Sequence, residues 1–332
     1  MLVVGEWSRR RGGDLRRFYT KQHKMYCGID LQARTLSICI LSQEGEGMVH
    51  QHFTATPETF LKVLAPSRDD VVVAGACLFT WYGLADLCAR EGIPFVLGPA
   101  LSMQAIHGGT ATNDRSEAQK VAVLLRGGML PQASVSPAAM RATRDLLRRR
   151  LQLMRTRAEW LTPIQHTKRQ DHLPEIGKKL ADKANRAGGA ARFPDPAVQK
   201  SLAVALALLD HDDRLRRDMA LTSLKTAQPH DANPLYRLRT VPGLGESLRL
   251  GLLYEMHDLA RFPRGQDCVS SCRLVQCAKE AAGQRSGTSG TTIGQASLKW
   301  AVSEAAVLCL RANPVGQKSL TRLENKHGQG KA

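Results

Sequence analysis

At 332 residues the chain is long enough for two domains with cores of their own, and 43% hydrophobic content excludes disorder by composition. No apolar run approaches the length that crosses a bilayer. Lys and Arg number 47 against 30 acidic residues, a formal charge of +17, which points to a polyanionic partner. Nucleic acid is the first candidate because the charge is spread along the chain rather than gathered on one amphipathic helix.

Residues 1–24, "MLVVGEWSRRRGGDLRRFYTKQHK", carry an apolar piece too short for a secretory signal, with arginines after it. They read as a solvated basic arm, with a mitochondrial-type presequence as the alternative. The first domain follows. Tyr26 to Ile29 is an apolar strand ending at Asp30, "TLSICIL" a second, and "QHFTAT" a third beyond the "EGEG" turn. "TPETFLKVL" predicts a helix capped by Thr56, with Pro57 in its first position. "DDVVVAGACL" is a buried strand, "YGLADLCAREG" a helix closed by Gly92, and "IPFVLG" another strand. Three strands, helix, strand, helix, strand is the α/β order of a ribonuclease H-like domain with a mixed sheet. In "TNDRSEAQKVAVLLRGG" the helical spacing puts Asp114, Glu117 and Val121 on one face.

A long helix is expected from Ser136, with Pro137 in its first turn and Pro163 kinking or ending it. Arg141, Arg144, Arg148, Arg149, Arg150, Arg155 and Arg157 dress it, either as a solvated face or against a nucleic-acid backbone. Residues 171–195 are polar and basic and form the expected linker, before a helix over 196–227 and a break at Pro229 to Pro234. "LRTVPGLGESLRLGLLYEM" has the layout of a helix-hairpin-helix. Its turn, with Gly243 and Gly245, offers amides at a helix N-terminus to a phosphate, or is an ordinary helix–helix turn. Further on, "QCAKEAAGQRSGTSG" is glycine-rich and basic, close to the start of a helix. Of the eight cysteines, Cys27, Cys39, Cys77 and Cys88 read as buried free thiols. Cys268, Cys272 and Cys277 lie closer together, but without a CxxC pair.

A strand-terminal Asp30 and a helical Asp114/Glu117 pair suggest a divalent-metal site for phosphodiester chemistry, since hard cations take carboxylate oxygens. They are otherwise three unrelated acids. Here the chain resembles bacterial insertion-sequence transposases of the IS-one-ten family, the DEDD transposases. The resemblance runs from about residue 25 to the end, on "YCGIDLQARTLSICIL", "FTWYGLADLCAREGIPFVLGPA", "AIHGGTATNDRSEAQKVAVLLRGGMLPQA", "MRATRDLLRRR", "RTVPGLGESL" and "GTSGTTIGQASLKWAVSEAA".

The resemblance implies a RuvC-like domain over 25–135, a coiled-coil-like helical linker over 136–228, and a mainly α transposase domain over 229–332 that bears a nucleophilic serine. It implies DNA as substrate, an element-encoded guide RNA, Mg²⁺, a homo-oligomer, and a cytoplasmic, nucleoid-associated protein. Of the family's Asp, Glu, Asp, Asp quartet, Asp30 matches the first and Asp114 the third. Glu117 stands where the fourth Asp is usual. The second falls at Ala76, beside Gly75, and brings no metal ligand. The serine falls at Ala281, where a methyl cannot attack phosphorus; Ser286 and Ser289 lie nearby. Arg148, Arg149, Arg150, Gly243 and Gly245 are the expected nucleic-acid contacts. The function expected is a DNA transposase, catalytically impaired in this copy. The alternatives are a non-catalytic nucleic-acid-binding remnant or regulator, and a Holliday-junction nuclease.

Overall fold

The computed structural model describes residues 18–76, 80–107, 114–170, 182–227, 232–272, 274, 277–281, 284–289 and 295–328. The chain divides into two compact units, Met1–Ala138 with Gln266–Ile293, and Ala139–Gly265 with Gly294–Ala332.

In the first unit, β1 (Met25–Leu31), β2 (Thr35–Ser42) and β3 (Gly47–Thr54) form an antiparallel meander. Helix α1 (Pro57–Leu64) starts where Thr56 Oγ1 accepts the Thr59 N–H, as the sequence predicts. β4 (Val71–Ala76) runs parallel to β1; after α2 (Trp81–Arg90), β5 (Phe95–Gly98) runs parallel to β4. The five-stranded sheet is therefore mixed, in the order β3-β2-β1-β4-β5. Two helices follow, α3 (Ala100–His107), which periodicity does not announce, and α4 (Asp114–Arg126).

Both sheet faces are covered, which explains the unbroken apolar run of β4. On one face Cys27, Ile29 and Val73 pack with Phe60 and Leu64 of α1 and Leu84 and Leu87 of α2. On the other, Tyr26, Val72, Ala74 and Val96 pack with Val121, Leu124 and Leu125 of α4. Gly28 lets α4 approach. A Cβ there would stand 2.2 Å from the Ala118 carbonyl oxygen and 2.3 Å from the Ala122 nitrogen.

The solvated arm expected through residue 24 ends earlier. Tyr19 is buried, its hydroxyl lies 2.7 Å from His23 Nε2, and His23 Nδ1 lies 2.7 Å from Asp70 Oδ1. Residues 1–17 of that arm lie outside the described residues.

The second unit starts with α5 (Ala138–Gln170), which carries Pro163 inside it and runs on to Gln170. Pro163 thus does not end the helix. Of the expected linker, 171–181 lie outside the described residues, and the rest is folded rather than loose. Two short 3₁₀ turns bury Arg186 and Phe193, Phe193 packs with Ile164 and Leu202, and Asp195 caps α6 (Pro196–Thr226). Arg186 is held by Asp210 and Asp213. Of the expected break at Pro229 to Pro234, 229–231 lie outside the described residues, and Ala232 to Pro234 instead open a helix. Then come α7 (Ala232–Arg239) and α8 (Glu246–Met256). Met140 and Leu147 of α5 meet Leu250, Leu253 and Tyr254 of α8 in the core of this unit.

Helix α9 (Gly265–Ser271) precedes an antiparallel hairpin, β6 (Cys277–Ala281) and β7 (Gln284–Ser289). Within the glycine-rich stretch before the next helix, Cys277–Ala281 and Gln284–Ser289 are therefore paired strands. The chain closes with α10 (Ala296–Ala312) and α11 (Pro314–His327). No described helix is long and apolar enough to cross a membrane.

Candidate carboxylate site and nucleic-acid interface

Strand alternation puts Tyr26, Gly28 and Asp30 on the α4 face of β1. Gly28 lies under Ala118 and Ala122, so Asp30, two residues on, comes to the first turn of α4, which carries Asp114 and Glu117. Their fields meet: Asp30's carboxyl is raised by burial first, then by Asp114 and Glu117, while His52 opposes the shift. Acids in a first turn also suit the helix dipole. Glu117 additionally takes Lys120 Nζ at 2.9 Å.

Sequence reasoning missed two histidines. In register, Asp30 pairs with Ser37 and Ser37 with His52, so the three form a row across β1, β2 and β3. Ser37 Oγ lies 2.7 Å from His52 Nδ1. His50, on the same face of β3, places Nε2 3.1 Å from the Arg115 carbonyl oxygen and ties the edge strand to α4. The signal was the alternation of "HQH" in an otherwise exposed strand.

On the other side of β1, Ile29 pairs with Gly75. Ala76 is thus the next residue on β4 as Asp30 is on β1, and it packs on the same apolar cluster as Tyr26. It offers no donor. The carboxylate oxygens at hand suit a hard cation, but among the described residues no three His, Cys, Asp or Glu side chains gather closely enough to hold one. The described residues do not by themselves close a metal site.

In the hairpin, Ala281 ends β6 opposite Gln284. Ser289 pairs with Cys277 at the far end, about 13 Å along the strand. Ser286 lies between Arg285 and Gly287, at the register shift.

The arginines of α5 are less free than their number along the helix implies. Arg141 and Arg144 are buried. Arg148 grips Glu255 of α8 with two bonds, Nε–Oε1 at 2.6 Å and Nη2–Oε2 at 2.7 Å. Arg157 bonds Asp213 of α6. The compensating acid comes from α6 and α8, where spacing along α5 cannot show it. Arg149 is exposed and bonds only locally to Gln152 among the bonds resolved, while Arg150 is half-buried. In the turn between α7 and α8, Gly243 has φ +81 and its missing Cβ would meet the Leu308 carbonyl oxygen at 2.4 Å. That glycine serves packing on α10. Gly245 stands at the N-cap of α8 with open space around it.

A model of DEDD transposases matches residues 27–169, covering the sheet, α4 and α5. The class is thus a transposase, an enzyme that cleaves and rejoins DNA. A second model, described as transposase IS116/IS110/IS902 family, matches residues 235–320, from α7 through the hairpin into α11. Together they span most of the chain, which belongs to the IS110 family of insertion-sequence transposases. A search of curated proteins finds no match.

Proposed function

We propose that this chain is a DNA-binding transposase whose strand-cleaving chemistry is disabled in this copy. The register beside Asp30 carries the reading. Ala76 occupies the neighbouring position on β4, on the same face, where the family places a carboxylate. The strand order β3-β2-β1-β4-β5 supports a ribonuclease H-like, RuvC-like domain over 25–135. Residues 136–228 then serve as the helical linker and 229–332 as the transposase domain.

Asp30, Asp114 and Glu117 are the residues left to hold Mg²⁺, and burial, then the like charges of Asp114 and Glu117, disfavour the charged form of Asp30. Ala281 has no hydroxyl to attack phosphorus. Binding is a separate property. Arg149 and Arg150 of α5 and the Gly245 end of α8 contact phosphate, and Arg148 presents what Glu255 leaves of its guanidinium. Gly243 shapes the turn that sets Gly245. DNA is the first partner and an element-encoded RNA the second, with the protein acting as a homo-oligomer at the nucleoid.

The test pairs binding with cleavage on one DNA carrying the element's ends. Binding should fall steeply with salt, and no nicked or joined product should form with Mg²⁺. Product from the unmodified chain overturns the reading.

A further inference from the structure

We propose that the cleft framed by α5, α8 and α10 in the second unit is a phosphate seat, filled by a nucleic-acid backbone group, with Arg150 as its principal cation. This rests on the nucleic-acid reading above and names the place where one phosphate is held and the groups that complete it.

The cleft is shallow, with an enclosed volume of about 30 Å³, and is open to solvent at its mouth. Arg144, Arg148 and Arg150 line it against one carboxylate, Glu255. Both Glu255 oxygens are engaged, Oε1 by Arg148 and Oε2 by Arg148 and by Gln295. Glu255 is thus taken up by Arg148 and Gln295 and does not bond Arg150. Arg150 bonds no oxygen among the described residues. Its Nε is buried without a hydrogen-bond partner among the described residues, and its Nη1 reaches only the Met154 sulfur, at 3.5 Å. Burial and then the like charge of Arg216 push its pKa down. A guanidinium so placed is costly unless an oxyanion meets it, and its fork suits phosphate oxygens.

The walls complete the seat. Ser247 is in the first turn of α8 and Ser297 in the first turn of α10, and both line the cleft. No side chain caps either helix; the N-cap residues are Gly245 and Gln295, and Gln295 turns its amide to Glu255 instead. First-turn N–H groups with no side-chain cap add donors for an anion. Trp300 lines the same cleft and gives a flat wall for a sugar or base, which free phosphate would not use.

The experiment uses the full chain. Labelled duplex DNA, single-stranded DNA and single-stranded RNA are titrated across a salt series, and melting is followed with inorganic phosphate. Arg150→Gln should weaken oligonucleotide binding about tenfold and lower the salt slope by about 1. Lys62→Gln, an equal charge change on exposed α1, should leave both unchanged. The arm that loses most identifies DNA or RNA as the occupant. Ser297→Ala should weaken the same arm without altering the fold, and Arg150→Gln should not lower the melting temperature, since it removes a buried charge. If no oligonucleotide binds yet phosphate raises the melting temperature of the unmodified chain and not of Arg150→Gln, the seat stands and the nucleic-acid reading of function falls. If Arg150→Gln and Ser297→Ala both bind and melt like Lys62→Gln, the seat is refuted.

Discussion

Replacing Gly28 by alanine should unseat α4. The added Cβ would lie 2.2 Å from the Ala118 carbonyl oxygen and 2.3 Å from the Ala122 nitrogen, where ordinary contact begins at 3.4 Å. Both obstacles are backbone, so no side chain can swing aside. The helix must withdraw by about 1 Å, the shortfall from a normal van der Waals distance. Overpacking of this kind costs about 1–3 kcal/mol, and a rigid obstacle puts it at the top of that range or above. The same helix carries Asp114 and Glu117, so their approach to Asp30 should loosen with it. Gly83→Ala is the control: Gly83 is exposed on α2 with nothing within 4 Å of its missing Cβ. It should be neutral or stabilising by up to about 1 kcal/mol. Unfolding of a chain with two compact units need not be two-state. Hydrogen exchange of the α4 peptides is therefore read beside the melting temperature. If Gly28→Ala melts with the unmodified chain and α4 exchanges at the same rate, the helix does not lie on the strand backbone as described.

Asp30's folded pKa lies above its ordinary 3.8, so its charged form is disfavoured in the fold. That cost is present above the folded pKa and gone below 3.8, so its contribution to stability falls as pH rises through the window. Asp30→Asn should then raise the melting temperature at pH 7, with a gain that shrinks toward acid pH; melts at both pH values check this, and a pH-independent loss would refute it. Arg186, its side chain only 4% exposed between Asp210 and Asp213, should cost about 3 kcal/mol on replacement by alanine, with lysine recovering part; an unchanged denaturation midpoint would contradict this. Gly243→Ala forces a Cβ to 2.4 Å from the Leu308 carbonyl oxygen at φ +81 and should cost about 2 kcal/mol or more, whereas Gly245→Ala should cost well under that. Equal melting of the two variants would remove the packing role of Gly243.

The sheet was legible because its signals are local. Thr56 and Pro57 announce α1, alternation and β-branching announce β1 and β2, and the apolar "VVVA" of β4 announces a strand covered on both faces. Helical spacing puts the α4 carboxylates on one face, and their approach to Asp30 is expected from strand order together with the family resemblance. What the sequence hid depends on partners far along the chain. His52 meets Asp30's field only through the β1–β2–β3 register. The arginines of α5 find Glu255 some 107 positions later and Asp213 some 56 later, so a count along the helix overstates its free charge. Arg186 and Phe193 sit in a segment whose polar composition suggests a linker, yet each is buried by α6 or the turns beside it. The β6–β7 hairpin was hidden by its glycines, which weaken any strand pattern.

Covalent protein–DNA adduct formation bears most directly on the loss of chemistry at Ala76 and Ala281. The unmodified chain, Ala76→Glu, Ala281→Ser and the double variant are incubated with Mg²⁺ and DNA carrying the element's ends, and adducts and joined products are resolved on denaturing gels. Both positions serve one chemical step, so either change alone should restore little. The expected result is no adduct from the unmodified chain, traces at most from the single variants, and adduct with joined DNA from the double variant. Recombination by the unmodified chain at the level of the double variant would contradict the loss, and would place the nucleophile elsewhere, with Ser286 and Ser289 of β7 the first residues to replace.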